Sequence, residues 1–197
     1  MSSDARDADW LEEIRELNRL FLNYLLARCE AGRPCPGLPR RVAHQLAEAS
    51  PAALERLAAL PTGLFRLAIE SGTGARDGLR PVSRIEQLRV SLALTILSSA
   101  WHMARSRSFE ARAFLHLSER ELRRLRAMPL SLLPLLAGNE DLLQCAFADA
   151  GLTWSALVGA ERQDPPRMLI LIALQPDLAL GSMPPKAMLQ PGARSLA

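Results

Sequence analysis

The sequence is poor in aromatic residues, histidine, cysteine and lysine. Aromatic residues make up 5% of the 197 positions, and Lys186 is the one lysine. Leu and Ala dominate while β-branched residues are scarce, so local preference favours helices over strands along nearly the whole chain. Hydrophobic residues make up 49% of the chain and charged residues 23%, which is enough apolar material for a folded core. An all-α fold is predicted.

The few cysteines and the lack of long apolar runs indicate the compartment. Cys29, Cys35 and Cys145 are odd in number and have no C-x-x-C spacing, which predicts neither a disulfide framework nor a zinc site. The apolar run 168–174 is far shorter than the roughly 20 residues that a membrane helix needs. The polar, acidic start of the chain does not have the order of a signal peptide. We expect a cytoplasmic protein without membrane association.

No combination of residues indicates catalysis. His44, His102 and His116 are isolated, and the sequence has no H-E-x-x-H, no G-x-S-x-G and no G-K-[ST] after the glycines of 72–74, so the common catalytic and phosphate-binding motifs are absent. His102 lies in an apolar stretch and is interpreted as a core residue rather than a base. A protein that is not an enzyme, with no metal and no cofactor, is expected.

The first half of the chain indicates one long helix and several short ones. Apolar residues at helical spacing predict a helix over about 10–29. A short helix is predicted over about 40–49, a second after Ser50-Pro51, where a capping serine precedes proline at the first helical position, and a third after Pro61-Thr62. These segments are typical of a small helical bundle.

The second half repeats this plan. A long helix over 85–103 is apolar on more than one face, as expected for a helix buried between neighbours. A polar loop is predicted at 105–108, and Ser118-Glu119-Arg120-Glu121 predicts a capping box at the start of a later helix. The chain restarts at Met128-Pro129 and breaks at Gly138-Asn139, after which a last helix is predicted.

The two halves also match position by position. Leucines and alanines of 38–64 recur about 79 residues later in 117–143. Four residues of the first long helix recur about 77 residues later. They are Leu17, Leu20, Tyr24 and Arg28, which match Leu94, Leu97, Trp101 and Arg105. Two similar helical units packed as a pseudo-dimer are therefore predicted, each burying its long first helix against the other.

The predicted boundaries follow from this repeat. The first unit covers 1–75 and the second 82–150, with a Gly-rich polar connection between them. A C-terminal helical extension is predicted over 151–182. The tail 183–197, which contains three prolines with Ser and Gly, is predicted to be disordered.

Two stretches carry the motifs of a known family. The first is Glu13-Ile14-Arg15-Glu16-Leu17-Asn18, followed by Phe21-Leu22 and Leu25. The second is Ala113-Phe114-Leu115-His116-Leu117-Ser118, followed by a leucine ladder from Leu125 to Leu136-Ala137 and by Leu142-Leu143-Gln144-Cys145-Ala146-Phe147. These stretches resemble the opening helix and the later section of the FlhD family of flagellar transcriptional regulators. The resemblance covers roughly 10–70 and again 85–150, so the chain would hold two FlhD-like helical units in tandem.

The resemblance implies a function and a partner. A helical dimer of this family joins a zinc-bearing partner, FlhC, and activates transcription of flagellar genes. This chain would accordingly bind an FlhC-like protein and contact DNA within that complex, and a homo-oligomer stays open as an alternative. The side chains predicted to form the dimer or partner interface are Leu17, Phe21, Tyr24, Leu97, Trp101 and Cys145.

An arginine cluster is the sharpest sign of a nucleic-acid partner. The net charge is +3, and the middle of the chain holds the excess of basic residues. Arg120, Arg123 and Arg124 stand at i, i+3 and i+4 and share one helix face, with Arg112 just upstream. Such a face can neutralise phosphates at a helix-turn-helix-like corner.

The alternatives for this cluster and for the whole chain stay open at the level of sequence. Glu119 and Glu121 can instead pair with Arg123 and Arg124, which would leave an ordinary solvated face. The protein would then be a helical adaptor that binds a protein partner without touching DNA. A third alternative is a small-ligand pocket between the halves, indicated only by the apolar character of 85–104.

Overall fold

The computed structural model describes residues 3–69 and 83–147, together with Trp154, Leu157 and Val158. Its elements, in chain order, are α1 Ser3–Glu30, α2 Arg40–Ala47, α3 Pro51–Ala58, β1 Phe65–Leu67, α4 Arg84–Ser106, α5 Ser108–Leu115, α6 Glu119–Ala127, a 3-10 turn Leu130–Leu132, α7 Leu133–Ala137 and β2 Leu143–Cys145. The described part is mainly helical, which confirms the predicted class in its coarse form. The predicted connection near 71–78, the tail 183–197 and nearly all of the extension 151–182 lie outside the described residues.

The two long helices, α1 and α4, pack against each other and form the centre of the molecule. Leu17 and Phe21 of α1 are buried, as are Ile96 and Leu97 of α4, and they belong to the same hydrophobic cluster. The shorter helices α2 and α3 pack on α1, while α6 and α7 pack on α4. The halves therefore share one core within the described residues.

Apart from α5, which has no counterpart in the first half, the order of elements occurs twice along the described chain. α2 and α6 begin about 79 residues apart, as do α3 and the 3-10 turn before α7. Each series ends in a three-residue strand, and the two strands pair with each other in antiparallel register. Phe65 lies opposite Cys145 and Leu67 opposite Leu143, all with buried side chains, while Arg66 is exposed. This two-stranded sheet joins the end of one half to the end of the other.

Several predicted elements are wrong. The third helix expected after Pro61-Thr62 is replaced by β1, and the last helix expected after Gly138-Asn139 by β2. Both segments are short, and pairing between the halves satisfies their backbone groups better than a helix of one turn would. The loop expected at 105–108 is also wrong, since α4 continues to Ser106 and α5 begins at Ser108. His102 is exposed rather than part of the core.

A buried polar side chain fixes the end of α3 to α1. The amide nitrogen of Asn18, Nδ2, donates to the carbonyl oxygens of Ala58, Leu60 and Thr62 at 3.3, 3.3 and 2.9 Å. Its Oδ1 accepts from the Leu64 amide at 2.8 Å. The last carbonyls of a helix have no partner within the helix, so one asparagine both caps α3 and directs the chain into β1.

An arginine performs the same task in the second half. The guanidinium of Arg89, in α4, donates to the carbonyl oxygens of Ala137, Gly138 and Asn139 at 3.2, 2.9 and 2.6 Å. Its charge is paired with Glu86 at 2.6 Å. Arg89 is 2% exposed, and a buried charge is tolerated only when it is paired and hydrogen-bonded.

Candidate nucleic-acid interface

Two short helices joined by a tight turn present the predicted arginines. α5 ends at Leu115, residues 116–118 form the turn, and α6 begins at Glu119. The predicted capping box at the start of α6 is confirmed. Ser118 Oγ accepts from the Glu121 amide at 3.2 Å, and the Glu121 carboxylate accepts from the Ser118 amide at 2.8 Å. The box fixes the first turn of α6, where a helix-turn-helix protein places its recognition residues.

His116 holds the turn against the first half of the chain. It adopts a left-handed conformation with φ 54°, and its Nε2 lies 2.9 Å from the Gly63 carbonyl oxygen and 3.1 Å from Thr62 Oγ1. Burial is the main cause that lowers the pKa of His116 below its ordinary value. The contact with a carbonyl requires a proton on Nε2, so the neutral ring donates to Gly63.

The sides of α6 divide sharply by polarity. Leu122 and Leu125 are buried in the core, whereas Arg120, Arg123 and Arg124 are all exposed. This is the face that the i, i+3, i+4 spacing predicts. The structure therefore brings these three guanidinium groups to one side of the second helix of the pair.

Glu119 and Glu121 do not pair with Arg123 and Arg124 as the alternative interpretation requires. Glu121 is 5% exposed and is engaged in the capping box. Glu119 pairs instead with Arg112, at 3.6 Å. No ion pair to Arg123 or Arg124 forms among the described residues.

Arg112 has a different setting from the other three arginines. It lies in α5 and is 46% exposed, and its partner Glu119 is 55% exposed. An exposed pair of this kind contributes little to stability, but it offsets the charge of Arg112. We therefore regard Arg112 as the weakest of the four predicted phosphate contacts.

Contacts that sequence reasoning missed fix the far end of α6 to α4. Arg126 Nε donates to the Ala104 carbonyl at 2.6 Å, and Arg105 Nη1 donates to the Arg126 carbonyl at 3.1 Å.

The Arg105 guanidinium stacks over the Trp101 ring at 4.6 Å, and Trp101 Nε1 donates to the Met128 carbonyl at 2.8 Å. The matched spacing of Tyr24-Arg28 and Trp101-Arg105 was the signal for this contact, since Arg28 likewise lies over Tyr24, at 5.7 Å.

The residues predicted for a dimer or partner interface lie inside the chain. Five of the six are buried in the shared core: Leu17, Phe21, Tyr24, Leu97 and Cys145. Trp101 is half-buried beside α6. Within the described residues these side chains form contacts inside the chain and do not present a surface to an outside partner.

Three leucines that follow α6 along the chain are exposed. Leu130, Leu132 and Leu135 are 58%, 41% and 73% exposed. At the offset of 79 residues their counterparts in α3 are Pro51, Ala53 and Arg56, so the first half has no leucine at these positions. Leucines exposed together in this way are typical of protein interaction surfaces.

In the parts of the chain that are described, no three His, Cys, Asp or Glu side chains are arranged to hold a metal ion. Over the same residues, every helix is too short or too polar to cross a membrane. No family model matches the chain, and no curated protein or solved structure is significantly similar to it.

Proposed function

We propose that this chain is a transcriptional regulator of the FlhD type, without enzymatic activity, that binds a partner protein and, with it, DNA. The observation that carries the proposal is the exposed face of Arg120, Arg123 and Arg124 on the second helix of a helix-turn-helix-like pair. Of the two acidic residues in α6, Glu121 is buried and used for capping, and Glu119 pairs with Arg112. Arg123 and Arg124 form no ion pair within the described residues, and the capping box fixes the first turn of the helix that carries them.

This face suits phosphate contact better than the reading of bases. Arginine donates in a planar fork that matches phosphate oxygens. α6 carries neither asparagine nor glutamine, the residues that commonly read adenine. Sequence preference would then come from the partner or from the shape of the DNA.

The chain's own two halves take the place of a homodimer in this proposal. The repeated order of elements supports a pseudo-dimer, as does the pairing of β1 with β2. The carbonyls of Ala58 and Ala137, which hold matching positions in the two halves, are each capped by a buried side chain of a long helix. One chain would thus supply what two separate subunits supply elsewhere.

The partner surface is assigned to Leu130, Leu132 and Leu135. They are exposed and lie just beyond the arginine face in sequence. A protein seated there would extend the contact with DNA past α6. An FlhC-like partner and flagellar target genes follow from the family resemblance, and a cytoplasmic location follows from the cysteines, which indicate a reducing compartment. The same leucines support a second candidate function, a helical adaptor that binds its protein partner without DNA.

The test is the affinity for labelled duplex DNA, measured by fluorescence anisotropy at two salt concentrations. The wild type is compared with the variant Arg120→Ala/Arg123→Ala/Arg124→Ala at about 50 and 200 mM salt. Removal of each phosphate-binding arginine should make the slope of log affinity against log salt shallower by about 0.9. The matched control, Arg33→Ala/Arg66→Ala/Arg84→Ala, removes three exposed arginines outside α6 and should keep most of the slope.

Two results would count against this assignment. An equal change of slope in both variants would mean that the affinity follows net charge rather than the face on α6. The second result is that the chain does not bind DNA at the lower salt, either alone or together with a protein partner captured through Leu130, Leu132 and Leu135. That result would favour the adaptor.

A further inference from the structure

Two cysteines lie in contact where α1 ends. Cys29 is in the last turn of α1 and Cys35 in the loop that follows, and their sulfur atoms are 3.5 Å apart. Both are free thiols. A disulfide needs the sulfurs about 2.05 Å apart, so the two sulfurs must approach by about 1.5 Å to form the bond.

The surroundings give the two thiols different roles. Cys29 is half-buried, whereas Cys35 is 5% exposed. Burial, and the contact with Cys29, raise the pKa of the Cys35 thiol to about 12. Cys29 is the sulfur that an outside reagent reaches, and Cys35 is the neighbour placed to displace that reagent.

The loop that carries Cys35 also contacts the second half of the chain. The amide of Cys145, in β2, donates to the Pro36 carbonyl at 3.1 Å. Arg28 Nε donates to the Pro34 carbonyl at 2.8 Å. The loop is thereby held on both sides of Cys35, so the two sulfurs stay close together in the folded protein.

We propose that Cys29 and Cys35 form a reversible intramolecular disulfide by exchange with a small disulfide such as oxidised glutathione. The Cys29 thiolate attacks one glutathione sulfur, forming a mixed disulfide and releasing one glutathione thiolate. Cys35 then attacks the Cys29 sulfur, which expels the second glutathione. The two protons of the protein thiols end on the two reduced glutathione molecules, so one disulfide is exchanged for another without a further oxidant.

Oxidation changes a contact between helices as well as the sulfur chemistry. Cys29 Sγ lies 3.6 Å from the Ala43 carbonyl oxygen of α2, and Cys35 Sγ lies 3.7 Å from the Leu25 carbonyl oxygen of α1. Both thiol hydrogens are removed on oxidation, so the weak hydrogen bond that α2 receives from α1 disappears. A covalent link from α1 to the loop replaces it. This reversible change at the contact between Cys29 and α2 does not involve the arginine face on α6.

The experiment equilibrates the full chain in mixtures of reduced and oxidised glutathione and quenches with a thiol-blocking reagent. Intact mass and peptide mapping then locate the disulfide. We expect a species that carries one blocking group, on Cys145, and in which the Cys29–Cys35 bond accounts for a loss of 2 Da. The reduced protein carries three blocking groups, and treatment with dithiothreitol before blocking should restore that species. The melting temperature of the oxidised form should rise by roughly 5 °C, because a small loop is closed in the unfolded chain.

Three variants make the assignment decisive. Cys145→Ala should still form the disulfide, whereas Cys29→Ser and Cys35→Ser should each stop at a mixed disulfide with glutathione or remain reduced. Cys29 is only half-buried, so Cys29→Ser disturbs the core less than Cys35→Ser. It still tests the proposed disulfide if Cys35→Ser does not fold. A bond from Cys145 to either other cysteine, a disulfide between chains, or three free thiols in the most oxidising mixture would overturn the proposal.

Discussion

At the scale of single residues, the buried side chain of Asn18 is the most specific contact in the first half. Replacement by alanine leaves three carbonyl oxygens and the Leu64 amide without the partner that the structure gives them. We expect Asn18→Ala to lower the free energy of unfolding by about 2–4 kcal/mol. Urea unfolding followed by circular dichroism measures the decrease.

Asn23 provides the control for this prediction. It lies in the same helix but is exposed, so Asn23→Ala removes the same amide and should change stability by less than about 0.5 kcal/mol. Equal decreases for the two substitutions would mean that the loss of stability does not come from the hydrogen bonds of Asn18 at the end of α3, because alanine is the better helix former at both positions.

His116 gives the molecule a predictable dependence on pH. Its folded pKa lies below the ordinary value because burial disfavours the charged ring. The unfolded chain therefore binds a proton first as the pH falls, and stability present above about pH 6.5 is lost below it, by up to about 1.4 kcal/mol per pH unit. We expect His116→Gln, which keeps a donor for the Gly63 carbonyl, to show a shallower loss between pH 6.5 and 5.

The matched control for the pH series is His44→Gln, since His44 is exposed on α2. Stability of each variant is measured by urea unfolding at steps across this pH range. If His116→Gln loses stability with falling pH as steeply as the wild type does, other groups cause the acid sensitivity.

At the scale of elements, α6 depends on its capping box. Ser118→Ala removes the acceptor for the Glu121 amide and leaves a buried carboxylate with fewer partners. We expect a decrease of about 1–2 kcal/mol in unfolding free energy. Amide hydrogen exchange should rise most in the first turn of α6. Ser131→Ala, at an exposed serine in the next turn of the chain, should leave both measurements unchanged.

The same helix shows what sequence reasoning can reach. The capping box and the shared face of Arg120, Arg123 and Arg124 depend on neighbours within four residues, so local spacing predicts them. The burial of Glu121 and the pairing of Arg112 with Glu119 depend on how α5 meets α6. The local periodicity of the sequence does not predict these contacts.

The two strands show more clearly which elements local sequence patterns do not predict. Phe65-Arg66-Leu67 alternates buried and exposed side chains, but three residues are too few for the alternation to stand out from a helix-forming background. Each strand exists because the other, about 78 residues away, supplies its hydrogen-bond partners. The exposure of His102 on an otherwise apolar helix is likewise decided by packing, since α4 buries only one side.

At the scale of the whole molecule, the two halves are expected to unfold together. Residues of α1, α4 and both strands belong to one hydrophobic cluster, and a core shared in this way makes neither half stable alone. Trp10 of α1 also stacks on Phe114 of α5, with ring centroids 4.0 Å apart. Contacts of this kind connect elements far apart in sequence and favour a single cooperative transition.

Phe65 is the residue at which this cooperativity can be tested. It is fully buried in β1, opposite Cys145, and meets the Phe21 ring edge-on at 5.8 Å. Phe65→Ala should cost about 3–5 kcal/mol through reduced burial and the cavity left behind. Because the core is shared, protection of amides against hydrogen exchange should fall in α4 as much as in α1. The control Phe109→Ala, at a side chain 80% exposed, should change neither helix. Protection retained in α4 while α1 loses it would show two independently stable units, and the two halves would then be separate domains in contact rather than one folded body.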